Sequence, residues 1–339
     1  MKAVFLIRHG GSDKAFEIRE IPIPVPGESE VRIRVQAFGL NFADVMARKG
    51  LYRDCPPLPC VIGYDAVGII DVTGSNVTQV KVGDRVTCFT RFKGYAEYIV
   101  TDETGVAKIS SDMPLPFAAS LTTQCCTAWY CINEAARVHE GDHVLVHAAA
   151  GGVGSAIVQL LKIKEVIIYG TCGSEEKVRF LQEIGVHHPI NYKERDYQEE
   201  IRKISGKRKL DVIIDSLGGR YVREGINLLG AGGTMVCIGG SQLTSATNFF
   251  DRWKKIFQFG LYHPGQLMMA CKSLSGVNML KLADSKPRLF LDMLQQIISL
   301  AESGTLQQNG GRVYHISEFE AAHSALENRQ TMGKVVVRW

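Results

Sequence analysis

Apolar and polar positions along this 339-residue chain follow two rhythms. In the first third, short β-branched segments at Val31 to Val35, Val67 to Val72, Arg85 to Phe89 and Tyr95 to Val100 are punctuated by Gly and Pro. That pattern predicts a small, mostly β domain. Ile21-Pro22-Ile23-Pro24-Val25-Pro26-Gly27 is excluded from a central strand, because proline brings no N–H to a ladder, and reads as an edge loop. From about Cys126 strands alternate with helices. Strands are expected at His143 to His147, Val166 to Gly170, Asp211 to Asp215 and Thr234 to Ile238, with a shorter one at Pro189-Ile190-Asn191. Helices are expected at Val153 to Lys164, Ser174 to Ile184, Tyr197 to Ile204 and after Gly219, with Ser174 capping the second ahead of Glu175 and Glu176. Such alternation predicts a doubly wound parallel sheet. Residues 249–293 are apolar and aromatic but poorly periodic; packing in a core or subunit interface is the first expectation, and cover over a substrate the second. Gly333 to Trp339 reads as a final strand returning to the N-terminal domain.

The junction between the first parallel strand and its helix carries the clearest chemistry. Ala148-Ala149-Ala150-Gly151-Gly152-Val153-Gly154 turns an apolar strand into a helix through residues without bulky side chains. Backbone N–H groups there can approach a pyrophosphate, and the helix N-terminus adds partial positive charge. The spacing departs from strict G-x-G-x-x-G, but strand before and helix after support a dinucleotide site. A fold that prefers NAD places an acid at the tip of the next strand, where it accepts from the ribose 2′-OH. Here that tip reads Ile168-Tyr169-Gly170-Thr171-Cys172-Gly173-Ser174, without an acid, and Lys177 follows one helical turn on. NADPH is therefore expected over NADH.

Length points to two domains. A formal charge of +4 with basic and acidic residues interleaved gives no nucleic-acid footprint, and Lys207-Arg208-Lys209 reads as a solvated loop. Nine scattered cysteines without a C-x-x-C pair read as reduced thiols. Met1 to Ile7 runs into Arg8-His9-Gly10 before any long apolar region develops, so no secretory leader and no membrane span is expected, and cytoplasmic residence is.

A catalytic zinc needs three well-placed Cys, His or acidic ligands. Asn41 and Tyr64 stand where a zinc enzyme of this layout would carry Cys and His, and no four-cysteine lobe exists. His139, His143 and His147 read as strand-end and surface residues, and His187-His188 as a helix end, so no metal is expected. Without a metal the acceptor must tolerate direct hydride attack, as quinones and α,β-unsaturated carbonyls do; saturated alcohols fit less well.

Asn41-Phe42-Ala43-Asp44-Val45-Met46-Ala47-Arg48-Lys49-Gly50-Leu51-Tyr52, Val82-Gly83-Asp84-Arg85-Val86, Gly94-Tyr95-Ala96-Glu97-Tyr98, the Ala148 to Gly154 turn and Ile190-Asn191-Tyr192 resemble the zinc-independent quinone oxidoreductase branch of the medium-chain dehydrogenase/reductase superfamily. Within it, Phe42-Ala43-Asp44, Pro56-Pro57-Leu58-Pro59 and Asp215-Ser216-Leu217-Gly218-Gly219 are most similar to the vesicle amine transport protein homologues. The resemblance implies a GroES-like, mostly β catalytic domain (residues 1–124 and 262–339) and a Rossmann domain (residues 125–261), with the cofactor in the cleft. It places Ala150, Gly151, Gly152, Val153 and Gly154 at the pyrophosphate, and Lys177 and Tyr192 at the adenosine 2′-phosphate with Gly173 and Ser174 lining that pocket. Asn41 and Thr127 would sit near the nicotinamide, Gly239, Gly240 and Ser241 beside it, Phe259 and Leu261 in a loop over it, and Lys334 would reach the cofactor from the C-terminal segment. Tyr52 would line the acceptor site and donate a hydrogen bond to its carbonyl, and Asn41 would share catalysis. Tyr64-Asp65 departs from relatives, where Glu commonly follows the turn.

The leading function is reduction of a small quinone by NADPH, with enone or enoyl reduction as the alternative. A second class is a non-enzymatic nucleotide-binding role at vesicle or organelle membranes, and RNA binding is a weaker third, disfavoured by the small charge. The resemblance also implies a homodimer paired through the edge of the Rossmann sheet.

Overall fold

The computed structural model describes residues 1–246 and 248–339, with Phe249 described by its backbone alone. The chain forms two units, residues 1–126 with 279–339 and residues 127–278.

In the first unit, strands β1 (Lys2–Leu6), β2 (Phe16–Glu20), β3 (Glu30–Leu40), β4 (Cys60–Val61), β5 (Asp65–Thr73), β6 (Arg85–Phe89), β7 (Tyr98–Asp102) and β8 (Val106–Lys108) come from the N-terminal part. Strands Arg312–His315 and Val335–Arg338 come from the C-terminal part. Period-two alternation explains β3, where Val31, Ile33, Val35 and Ala37 are buried while Arg32, Arg34 and Gln36 face outward. β3 pairs antiparallel with β5, setting Gly39 opposite Asp65, and with the final strand, setting Leu40 opposite Val335. Three chain segments thereby meet at one end of β3: Asn41 just after it, Asp65 opening β5 and Lys334 just before the last strand. The final strand does return to the β domain, as expected.

Helix Phe42–Arg48 follows β3 directly and ends on a fully buried guanidinium. Arg48 pairs there with Glu327, the last residue of helix Phe319–Glu327, while Lys49 reaches the same carboxylate.

The second unit is a six-stranded sheet of β9 (His143–Val146), β10 (Ile167–Cys172), β11 (His188–Asn191), β12 (Leu210–Asp215), β13 (Leu229–Cys237) and β14 (Ser273–Gly276). Its order is β11-β10-β9-β12-β13-β14, with every neighbouring pair parallel. This is the doubly wound order whose direction reverses beside the first strand, the place where such sheets bind ligands. Helices Gly152–Lys162, Glu175–Glu183, Tyr197–Ser205 and Arg220–Leu228 make the crossovers.

Three expectations change. The boundaries fall after residues 126 and 278 rather than 124 and 261, the second because β14 adds a sixth strand to the parallel sheet. Residues 249–293 are core only in part: they form helices Phe249–Phe257, Pro264–Ala270 and Met279–Ser285, strand β14 and the start of helix Pro287–Glu302, with Met279, Leu280, Phe290 and Met293 buried, while in the single chain Phe250, Phe257, Leu261, Met268 and Met269 are each at least 67% exposed. His147 is buried rather than superficial, with its ring 5.1 Å from those of Tyr197 and Tyr221.

Removing one partner from a buried ion pair strands the other. Glu327→Ala is expected to lower stability by about 3 kcal/mol in urea unfolding, and Lys49→Ala far less. Equal, small effects would show that the Arg48 pair does not hold these helices together.

Candidate functional site

An acid opening a buried strand is costly unless its charge is neutralised where it stands. Asp65 is fully buried, and four groups reach its carboxylate. Asn41 Nδ2 donates to it at 2.6 Å and Thr122 Oγ1 at 2.8 Å, while Thr123 Oγ1 and Lys334 Nζ make closer bonds still. Lys334, only 2% exposed, also donates to Asn41 Oδ1 at 2.9 Å. Its aliphatic stem crosses Gly39, where any Cβ would collide with it. The glycine before Leu40 and Asn41 is therefore what lets the ammonium reach Asp65. Both ends of the Asn41 amide are engaged, and of its two N–H bonds one serves Asp65.

Helix Phe42–Arg48 fixes the Asn41 backbone, since Asp44 Oδ2 accepts the Asn41 N–H at 2.7 Å. Asp44 is fully buried, and that burial pushes its carboxyl up to about 7, outweighing the bonds from Asn41 and Tyr95 that favour the anion. Tyr52 is half-buried on the loop beyond the helix, and burial raises its hydroxyl, so it stands as a hydrogen-bond donor. Tyr64 packs against Tyr52, Phe89 and Phe92 with ring centroids 5.1 to 6.2 Å apart. It serves as an aromatic wall beside Asp65.

In the second unit the expected nucleotide residues gather at the C-terminal edge of the sheet. Gly154, in the first turn of its helix, lies so close to the preceding turn that a Cβ would stand 2.7 Å from Ala149 Cα, and Ala148 takes φ +51° to make that turn. No side chain caps helix Gly152–Lys162, so its first N–H groups are left for a ligand. At the tip of β10, Ser174 caps helix Glu175–Glu183 by accepting the Lys177 N–H at 3.3 Å. A Cβ on Gly173 would stand 2.7 Å from the Tyr192 hydroxyl, which brings those two residues together. Glu175 accepts a hydrogen bond from Asn191 Nδ2 at 3.1 Å. Phe259 packs against Gly218 and Gly240, and Ser241 N–H donates to Ser216 O at 3.2 Å, so Gly239, Gly240, Ser241 and Phe259 share one corner. Leu261 is 89% exposed, whereas Ala150 and Thr127 are buried.

Several polar groups here were not singled out from sequence as site residues. Thr122 and Thr123 are two ordinary threonines in a helical stretch, with no signal that they turn toward a carboxylate. Asp65 did carry one, a charge set against the β-branched Val67 to Val72. Asp215 closes the turn after β12 by accepting Leu217 and Gly218 N–H at 2.9 and 2.8 Å, and burial raises it to about 6. His147 Nδ1 lies 3.0 Å from Thr171 Oγ1, and burial lowers the imidazole to about 3, keeping it neutral.

Residues 27–111 match the alcohol dehydrogenase GroES-like domain, and residues 152–296 match the family described as zinc-binding dehydrogenase. The chain is 33% identical to the synaptic vesicle membrane protein VAT-1 homolog of Danio rerio, over 99% of this chain and 69% of that one. It belongs to the medium-chain dehydrogenase/reductase superfamily. Within this superfamily it lies in the quinone oxidoreductase branch near the VAT-1 homologues, and it is an oxidoreductase of the medium-chain dehydrogenase/reductase family. A 2-haloacrylate reductase of Burkholderia sp is 29% identical over 99% of this chain and 98% of its own. The quinone oxidoreductase of Escherichia coli complexed with NADPH matches at a TM-score of 0.87 and 26% identity, covering 100% of both chains.

Some zinc is implied by the second family's description, and the residues of this medium-chain dehydrogenase/reductase do not fit it. The group neutralising Asp65 is an ammonium, and among the described residues no three His, Cys, Asp or Glu side chains gather as a metal site. Nor, among them, is any helix long and apolar enough to cross a membrane.

Two outcomes follow for this site. Asp65→Asn, which strands the Lys334 ammonium, is expected to cost about 3 kcal/mol, and adding Lys334→Met to recover most of it; additive losses in denaturant melts would contradict the pairing. The raised Asp44 carboxyl means the folded state holds a proton that the unfolded chain, near 3.8, has lost. Its contribution to stability is therefore present at low pH and is lost as pH rises through about 7. Asp44→Asn should flatten that decline, whereas parallel pH profiles for the two proteins would rule it out.

Proposed function

We propose that this oxidoreductase reduces quinones with NADPH and without a metal ion. The observation that carries the choice of nucleotide is the tip of β10, where Gly173 and Tyr192 come together beside Ser174, with Lys177 in the first turn of the helix that Ser174 caps. That set fits a 2′-phosphate: Tyr192 offers a hydroxyl, the helix start its N–H groups and Lys177 its charge. The uncapped start of helix Gly152–Lys162 fits the pyrophosphate. The NADPH complex of the Escherichia coli quinone oxidoreductase supports the same choice.

When bound, the nicotinamide supplies the hydride. Residues of this chain do the remainder. Asn41, its amide oriented by Asp65 and Lys334, presents its second N–H, so that Lys334 acts as a positioning residue rather than as a direct cofactor ligand. Tyr52, kept protonated by burial, donates to the acceptor carbonyl oxygen and withdraws charge as the hydride arrives. Quinones suit this arrangement because the added electron pair is delocalised onto oxygen. Reduction of an activated carbon–carbon double bond is the second reading, favoured by the likeness to the 2-haloacrylate reductase. The exposed apolar residues between Phe250 and Met269, together with the edge position of β14 in the parallel sheet, favour a homodimer.

Steady-state turnover of NADPH and NADH against para-quinones, ortho-quinones and enones tests the proposal. Quinone reduction with NADPH preferred is expected, and Lys177→Ala should raise the KM for NADPH about tenfold, the loss of roughly 1.4 kcal/mol of binding, while leaving that for NADH unchanged. A preference for NADH, or binding of NADPH with no oxidation above background, would refute it.

A further inference from the structure

The loop that carries Tyr52 also carries two thiols that the proposed chemistry does not use. Cys55 and Cys60 lie either side of Pro56-Pro57-Leu58-Pro59, with their Sγ atoms 3.9 Å apart. Cys60 is buried and opens β4, where it pairs with Leu6 of β1. Cys55 is partly exposed, and its N–H donates to Tyr52 O at 3.2 Å, so one tight turn joins it to Tyr52. A disulfide has its sulfurs about 2.05 Å apart. Three prolines limit the freedom of the six-residue segment, so its ends are held near one another before any bond forms.

We propose that Cys55 and Cys60 form a reversible disulfide under peroxide and that this bond restrains the Tyr52 loop. Hydrogen peroxide transfers one oxygen to the Cys55 sulfur, giving a sulfenic acid and one water. The Cys60 sulfur attacks the Cys55 sulfur; the S–S bond forms as the S–O bond breaks, and hydroxide leaves with the Cys60 proton as a second water. The two thiols lose two electrons and the peroxide gains them. Closing the gap falls on the Cys55 side, because Cys60 is held by the β1 pairing. The Tyr52 turn therefore travels with Cys55, away from its reduced position beside Tyr64. The effect on turnover rests on the reading of Tyr52 as the acceptor-site residue; the bond itself does not.

Cleavage after Arg53 and Lys81 gives a peptide, residues 54–81, in which Cys55 and Cys60 are the only cysteines. Native protein is treated with hydrogen peroxide, alkylated, digested and weighed. The expected peptide has lost two hydrogens, resists alkylation and is restored by dithiothreitol, and Cys55→Ser abolishes all three. A peptide that gains oxygen, alkylates fully or is joined to another cysteine overturns the proposal. In parallel, oxidation should raise the KM for the quinone severalfold, reversibly and only in protein with both thiols, with the KM for NADPH unchanged. A disulfide that leaves the quinone KM unmoved overturns the restraint on Tyr52. Protein that reduces no quinone in either state defeats the proposed function, and the peptide mass still decides the bond.

Discussion

The first unit depends on one carboxylate that must not be left alone. Asp65 sits where β5 begins, in full burial, and its charge is tolerable only because Lys334, Asn41, Thr122 and Thr123 converge on it. Lys334 lies 269 residues further along the chain, so the pair forms only once the C-terminal strand has docked on β3. Electrostatics thereby ties the ends of the unit together at the point where Asn41 is held. A buried pair of this kind is weak as a source of net stability but strict about geometry, since neither charge tolerates being left without the other.

The second unit solves a different problem. Its parallel strands bury both faces and leave polar backbone only at their ends, so ligand-facing groups collect where β9, β10, β12 and β13 finish. Small residues at Ala148 to Gly154, Gly173, Gly218 and Gly239-Gly240 keep that edge open to close approach. Polar groups buried beneath it are held neutral or bonded: His147 against Thr171, Asp215 on two backbone N–H groups. Nucleotide recognition in this reading is chiefly a property of backbone, with Lys177 and Tyr192 adding the distinction between phosphate and hydroxyl.

Legibility in the sequence followed the range of the interactions involved. The parallel strands and their helices were readable because each is a local apolar run with its own cap or turn, as with Ser174 ahead of Glu175 and Glu176. β13 begins five residues before the expected Thr234 because Gly230, Gly232 and Gly233 conceal its start, and β14 was missed because Ser273-Leu274-Ser275-Gly276 has almost no strand character. It is a strand through its pairing with β13. Within the candidate site, Lys177 was legible from the acid-free tip of β10, and Asn41, Tyr52 and Tyr192 took their roles from the family resemblance, while Asp65 registered only as a departure from relatives. Its partnership with Lys334 is carried by no local pattern, because it depends on how distant strands align.

Direct hydride delivery from NADPH to the acceptor, without a metal ion, is open to measurement by anaerobic single-turnover oxidation of NADPH deuterated at nicotinamide C4, mixed with a para-benzoquinone and compared with ordinary NADPH. The deuterated cofactor is expected to be oxidised more slowly, with rates unaffected by a chelator. Equal rates for the two cofactors, or no oxidation beyond that in buffer, would contradict it.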